Sequence, residues 1–88
     1  MSWTVDVTKR ARKGLKALEP KVALQIIDAL NTYAATGRGD IKRLQGTDKL
    51  RLRIREWRVI FMRIPALRDP TSGIISVLDI EHRREAYR

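Results

Sequence analysis

Near residue 49 the spacing of apolar residues changes from one in about 3.6 to one in two, so this chain must combine helices with strands that follow them. Before that point Ala11, Leu15 and Leu18 recur at helical spacing, and Val22, Ile26, Ala29, Leu30 and Tyr33 make a second stripe. Pro20 fits only the first turn of a helix, so it divides the two stripes into two helices. Thr8 is placed to cap the first, and Gly37 and Gly39 end the second, expected over residues 20–36. Upstream, Trp3, Val5 and Val7 alternate with Thr4 and Asp6, as a first strand would.

Beyond residue 49, Leu50, Leu52 and Ile54 alternate with Arg51, Arg53 and Arg55, giving one apolar and one cationic strand face. Residues 57–64 are β-branched, aromatic and nearly all apolar, and read as a central strand joined to its predecessor by a tight turn near Glu56. Pro65 stops it, residues 66–73 form a loop, and residues 74–80 make the last strand before a polar tail. The expected order is β-α-α-β-β-β over a single domain, residues 1–88. It is an α+β two-layer sandwich: an N-terminal strand, a helical hairpin, and a three-stranded antiparallel meander.

Composition narrows the chemistry. The chain has no cysteine, which removes disulfides, thiolate catalysis and sulfur-bound zinc. No stretch approaches a membrane span and the N-terminus does not read as a signal peptide, so a cytoplasmic setting is expected. Nineteen Lys and Arg against ten Asp and Glu leave +9 on 88 residues, a field that attracts nucleic acid or an acidic protein.

One histidine and no cysteine leave no metal-ligand cluster; Asp79, Glu81 and His82 are too few and too close in sequence. The positive signal is the row Arg51, Arg53, Arg55, followed by Arg58. Alternation spaces such residues by about 6.5–7 Å, close to the separation of successive phosphates. Two readings are open: an anion-binding face, or a charged strand that blocks edge-to-edge pairing. Lys9, Lys13 and Lys16 on the first helix are either a solvated face or an auxiliary polyanion contact. His82 is the side chain whose ordinary pKa suits proton transfer near neutrality, and Tyr87 could stack on a base. Read singly, His82 is better taken as a plain surface histidine, and Tyr87 is equally a terminal aromatic packed against the core.

The order of elements, with Lys42-Arg43-Leu44-Gln45-Gly46, Leu50-Arg51-Leu52-Arg53-Ile54, Trp57-Arg58-Val59-Ile60-Phe61 and Ile80-Glu81-His82-Arg83-Arg84-Glu85-Ala86-Tyr87, resembles the RelE/ParE superfamily of type II toxins, in its RelE branch. The resemblance implies a RelE-like fold and a toxin paired with an acidic antitoxin. It further implies a ribosome-dependent endoribonuclease that cleaves messenger RNA in the 30S A site, contacting ribosomal RNA, through the RNA 2′-hydroxyl without metal or cofactor. The family's site positions fall on Arg51, Arg53, Arg58, Arg83 and Tyr87, with His82 beside them. The family carries lysine where Arg51 and Arg53 stand here. Arginine stays protonated, so these two would hold phosphate, and His82 or Tyr87 would move the proton. ParE-like members share the fold and inhibit DNA gyrase. A basic module that binds nucleic acid without cutting it is the third reading.

Overall fold

The computed structural model describes residues 3–82. Its elements are β1 (Trp3–Val7), α1 (Lys9–Lys16), α2 (Pro20–Thr36), β2 (Asp40–Arg43), β3 (Leu50–Ile54), β4 (Trp57–Pro65) and β5 (Gly73–His82). The helices begin and end where their caps dictate. The Thr8 hydroxyl oxygen accepts from the Ala11 amide at 3.3 Å and its hydrogen goes to the Val77 carbonyl at 2.7 Å, tying the start of α1 to β5. Gly37 closes α2 in the left-handed region (φ 75°), its amide donating to the Tyr33 carbonyl.

The five strands form one sheet in the order β1-β5-β4-β3-β2. Strands β2 to β5 are antiparallel in turn, and β1 lies parallel to β5. The α+β two-layer architecture is as expected, with one strand more. Strand β2 has a single apolar residue, Ile41, among Asp40, Lys42 and Arg43, so its sequence carries no alternation to read. That strand also sets the direction of β5. A helical hairpin returning the chain antiparallel to β1, followed by three strands, would end antiparallel to β1. The fourth strand reverses the last one and makes the sheet mixed.

The helices cover one face. Ala11 and Leu15 of α1 and Ile26, Leu30, Tyr33 and Ala34 of α2 pack with Leu52, Val59, Phe61, Ile75, Val77 and Ile80 of the sheet. Phe61 is fully buried, with the Tyr33 ring edge-on at 5.3 Å. Strand β5 keeps its apolar residues on this face by means of a bulge. Ile60 pairs with Asp79, but Phe61 pairs with Val77, so Leu78 is the extra residue. Ile75 and Val77 point to the helices, and after the bulge Ile80 does so as well. The alternation of β5 therefore changes phase at Leu78.

Candidate nucleic-acid interface on the open sheet face

Residues paired across a sheet share a face, so the ladder fixes what lies opposite the helices. One row reads Asp40, Arg53, Arg58, Glu81 across four strands; the next reads Lys42, Arg51, Ile60, Asp79. Arg51, Arg53 and Arg58 are thus brought together on the open face. Ile54 and Trp57 close a two-residue hairpin as a hydrogen-bonded pair, which makes Arg53 and Arg58 a non-hydrogen-bonded pair with Cα atoms about 4.5 Å apart. Such a pair holds its side chains closest, and two like charges there repel.

The register supplies the counter-charge that the sequence row concealed. Asp40 stands opposite Arg53, and Glu81 stands opposite Arg58. Arg51 is half-buried where Arg53 is exposed: its side chain is 13% exposed, paired with Asp40 Oδ1 at 3.6 Å and donating to the Asp40 carbonyl at 3.4 Å. Asp79 is held by Arg10 at 3.4 Å and accepts from the Ile80 amide at 2.9 Å. Arg51 is therefore held in place, while Arg53, exposed, and Arg58 each have a carboxylate opposite them in the register. These acidic neighbours were not legible beforehand, because only the pairing of β2 and β5 with the central strands brings them there.

Other expected site residues lie elsewhere. Arg55 does not extend the arginine row: it begins the turn after β3, with a positive φ of 53°, on a groove lined by Val22, Gln25, Ile26, Ile54, Glu56 and Trp57. His82 is opposite Trp57 on the helix-side face, turned away from the arginines. Its ring meets the Trp57 ring edge-on at 4.8 Å and Glu56 Oε2 at 3.2 Å. The Leu78 bulge is the cause. Unbroken alternation from Val77 would have put His82 on the arginine face and Glu81 among the helices. Lys9, Lys13 and Lys16 are exposed on α1, in the other layer. Arg83 and Tyr87 lie outside the described residues. Among the described residues no three His, Cys, Asp or Glu side chains gather as a metal site would require, and no helix is long and apolar enough to cross a membrane.

No protein-family profile and no curated protein sequence matches this chain. Solved structures do match its backbone. The E. coli toxin RelE, as a double arginine-to-alanine mutant in the free state, is similar with a TM-score of 0.75 at 19% identity, over 99% of this chain and 90% of that one. A chain of the archaeal RelE–RelB complex from Pyrococcus horikoshii OT3 gives 0.72 at 22% identity, over 94% and 97%. A chain of the toxin–antitoxin complex RelBE2 from Mycobacterium tuberculosis gives 0.69 at 19%, over 94% and 100%. With two helices on one face of a five-stranded mixed sheet and an arginine array on the other, the chain has the RelE-like fold.

Proposed function

We propose that this chain is the toxin of a type II toxin–antitoxin pair, an endoribonuclease that cleaves messenger RNA in the ribosomal A site. The observation that carries this reading is the array of Arg51, Arg53 and Arg58 on the open face of a RelE-like sheet. Opposed arginines are costly to a fold on their own account, and they become useful when a phosphate lies between them. Arg53 and Arg58 bracket the scissile phosphate. Arg51, held by Asp40, presents its guanidinium without first having to be ordered.

In the reaction the RNA 2′-oxygen attacks phosphorus and the bond to the 5′-oxygen breaks; that oxygen takes a proton from water, leaving a 2′,3′-cyclic phosphate and a 5′-hydroxyl. The attacking hydroxyl must lose a proton. Arginine cannot take it, and His82 faces the other layer. Asp40 and Asp79 are engaged by Arg51 and Arg10. Glu81, opposite Arg58, is the carboxylate we assign as acceptor. Arg83 and Tyr87 keep the roles the resemblance implies, on phosphate and base. The partner that restrains the toxin is an acidic antitoxin, as +9 on the chain favours, and the setting is cytoplasmic, where ribosomes are.

Induction from a tightly repressed promoter, with pulse-labelling of protein, RNA and DNA and mapping of messenger 5′ ends, tests the reading. Protein synthesis should halt first, with new ends inside translated codons. DNA synthesis stopping first with messages intact would instead mark a gyrase inhibitor, and nucleic-acid binding without product would mark a non-catalytic module.

A further inference from the structure

Strand β5 sets Gly73 opposite Trp3 of β1, and Ile75 opposite both Val5 of β1 and Arg63 of β4. Ile75 belongs to the core under the helices, so Trp3, Val5 and Arg63 share that face. Gly73 puts no side chain between Trp3 and Arg63. The Arg63 guanidinium therefore reaches across β5 and lies over the Trp3 ring, 4.5 Å from its centroid. Above them α2 runs out, with Tyr33 in its last turn and Gly37 at its end. A cavity of about 110 Å³ opens there between the layers, lined by Trp3, Tyr33, Gly37, Arg63 and Ile75.

This cavity holds N–H and O–H donors and no carboxylate. Arg63 can only donate. Tyr33 is nine-tenths buried, its ring edge-on to Phe61. Among the described residues neither side chain has a hydrogen-bond partner, and no buried side-chain polar atom is sealed away without one. The Tyr33 hydroxyl thus reaches open space, and the space that Tyr33 lines is this cavity. What is missing is an acceptor, either an oxyanion or the carbonyl of a neutral ring. Gly37 argues against the first: it stands at the carbonyl end of α2, whose partial negative charge repels an anion. The flat apolar walls of Trp3, Tyr33 and Ile75 suit the second. Size narrows it further. A closed cavity of about 150 Å³ takes a benzene ring, so this smaller one, open to solvent, admits one six-membered ring and not the fused pair of a purine.

We propose that this gap between the layers is a binding site for a single pyrimidine base. Its carbonyl oxygens accept from the Arg63 guanidinium and the Tyr33 hydroxyl, and its ring lies against Ile75 and the edge of Trp3. Trp3 already holds Arg63, so little ordering is left to be done on binding. The base comes either as a free nucleoside or turned out of a single-stranded RNA, whose phosphates the +9 chain attracts. The site is on the opposite sheet face from Arg51, Arg53 and Arg58 and does not require that the chain cut RNA.

The test is an NMR titration of the full ¹⁵N-labelled chain with uridine, with adenosine and with hexauridylate whose 2′-oxygens are methylated, so that they cannot attack phosphorus. Trp3→Phe assigns the two indole N–H signals. Uridine should shift the Trp3 indole and the Gly37 and Ile75 amides saturably and leave the Trp57 indole in place; adenosine at the same concentration should leave all four in place. Tyr33→Phe, which keeps the ring on Phe61, should weaken uridine by about fivefold, the size of one neutral hydrogen bond, and Arg63→Gln by about tenfold or more. Hexauridylate binding tighter than uridine, with the advantage fading as salt rises, would mark a base presented by RNA; equal affinity would mark the free nucleoside. No shift at Trp3 with millimolar uridine, equal shifts with adenosine, or indifference to Tyr33→Phe in a chain whose other signals are unchanged would each overturn the proposal. None of these readouts depends on RNA cleavage, so an inert chain that binds uridine would refute the toxin reading alone.

Discussion

The molecule carries two concentrations of positive charge, and they are built differently. On α1, Lys9, Arg12, Lys13 and Lys16 project into solvent from one short helix, with Arg10 alone tied down by Asp79. On the sheet, Arg51, Arg53 and Arg58 are interleaved with Asp40 and Glu81, and Arg51 is nearly enclosed. Exposed lysines on flexible stems act as a diffuse field that raises the encounter rate with any polyanion and fades with salt. An arginine fixed by a neighbouring carboxylate, as Arg51 is by Asp40, binds in one geometry and is ready for charge that develops during a reaction. Net charge alone cannot separate these roles. Burial and pairing can.

The difference between the regions should show most strongly at Arg58. Arg58→Ala should lower the rate of message cleavage by about 10²–10³-fold while leaving binding to ribosomes largely intact. Glu81→Gln, which keeps shape and removes the proton acceptor, should cost about 10²-fold or more. A smaller effect is expected from Asp40→Asn. It frees the Arg51 side chain without deleting it, so the rate should fall by about tenfold, the size of one positioned hydrogen bond to a charged group. On the other region, converting Lys9, Lys13 and Lys16 together to Gln should leave the cleavage step unchanged. It should lower the salt slope of RNA binding by up to about 2, at about 0.7 for each phosphate no longer neutralised.

The smallest effect concerns neither region and serves as a control. In the β4–β5 loop the Asp69 carboxyl accepts from the Thr71 hydroxyl and amide, which holds its pKa below the usual carboxylate range. Its folded value is depressed, so its contribution is present above the ordinary carboxylate pKa and is lost as pH falls through the folded value. Acid titration should release the Thr71 amide shift there, a change that Asp69→Asn should abolish.

Much of the fold was legible because each long element carries its own period. The stripes of α1 and α2, the alternation of β3 and the apolar run of β4 need no knowledge of their neighbours. Strand β2 has no such period. It is an edge strand of four residues whose charges face solvent, and it exists because β3 offers it a ladder. Without it, β1 would be expected antiparallel to the last strand.

At the site, Arg51 and Arg53 were legible from alternation within one strand, and Arg58 from its place beside them in the next. Asp40 and Glu81 were not, since they arrive from strands distant in sequence. His82 and Glu81 show why adjacency misleads. One extra residue at Leu78 exchanges their faces, sending the imidazole to Trp57 and the carboxylate to the arginines. Nothing in Ile80-Glu81-His82 announces that bulge; it follows from Val77 and Ile80 both being needed in the core.

If the open-face arginines perform chemistry while the α1 lysines only attract, the two must separate once the encounter step is removed. Single-turnover cleavage of a message held on programmed ribosomes does this, comparing the unaltered chain with Arg58→Ala and with the triple lysine variant at saturating concentration. The expected result is a cut within the A-site codon by the unaltered chain, the same rate for the lysine variant, and a loss of about 10²-fold or more for Arg58→Ala. Equal rates for Arg58→Ala and the unaltered chain, or a loss confined to the lysine variant, would contradict this division of roles.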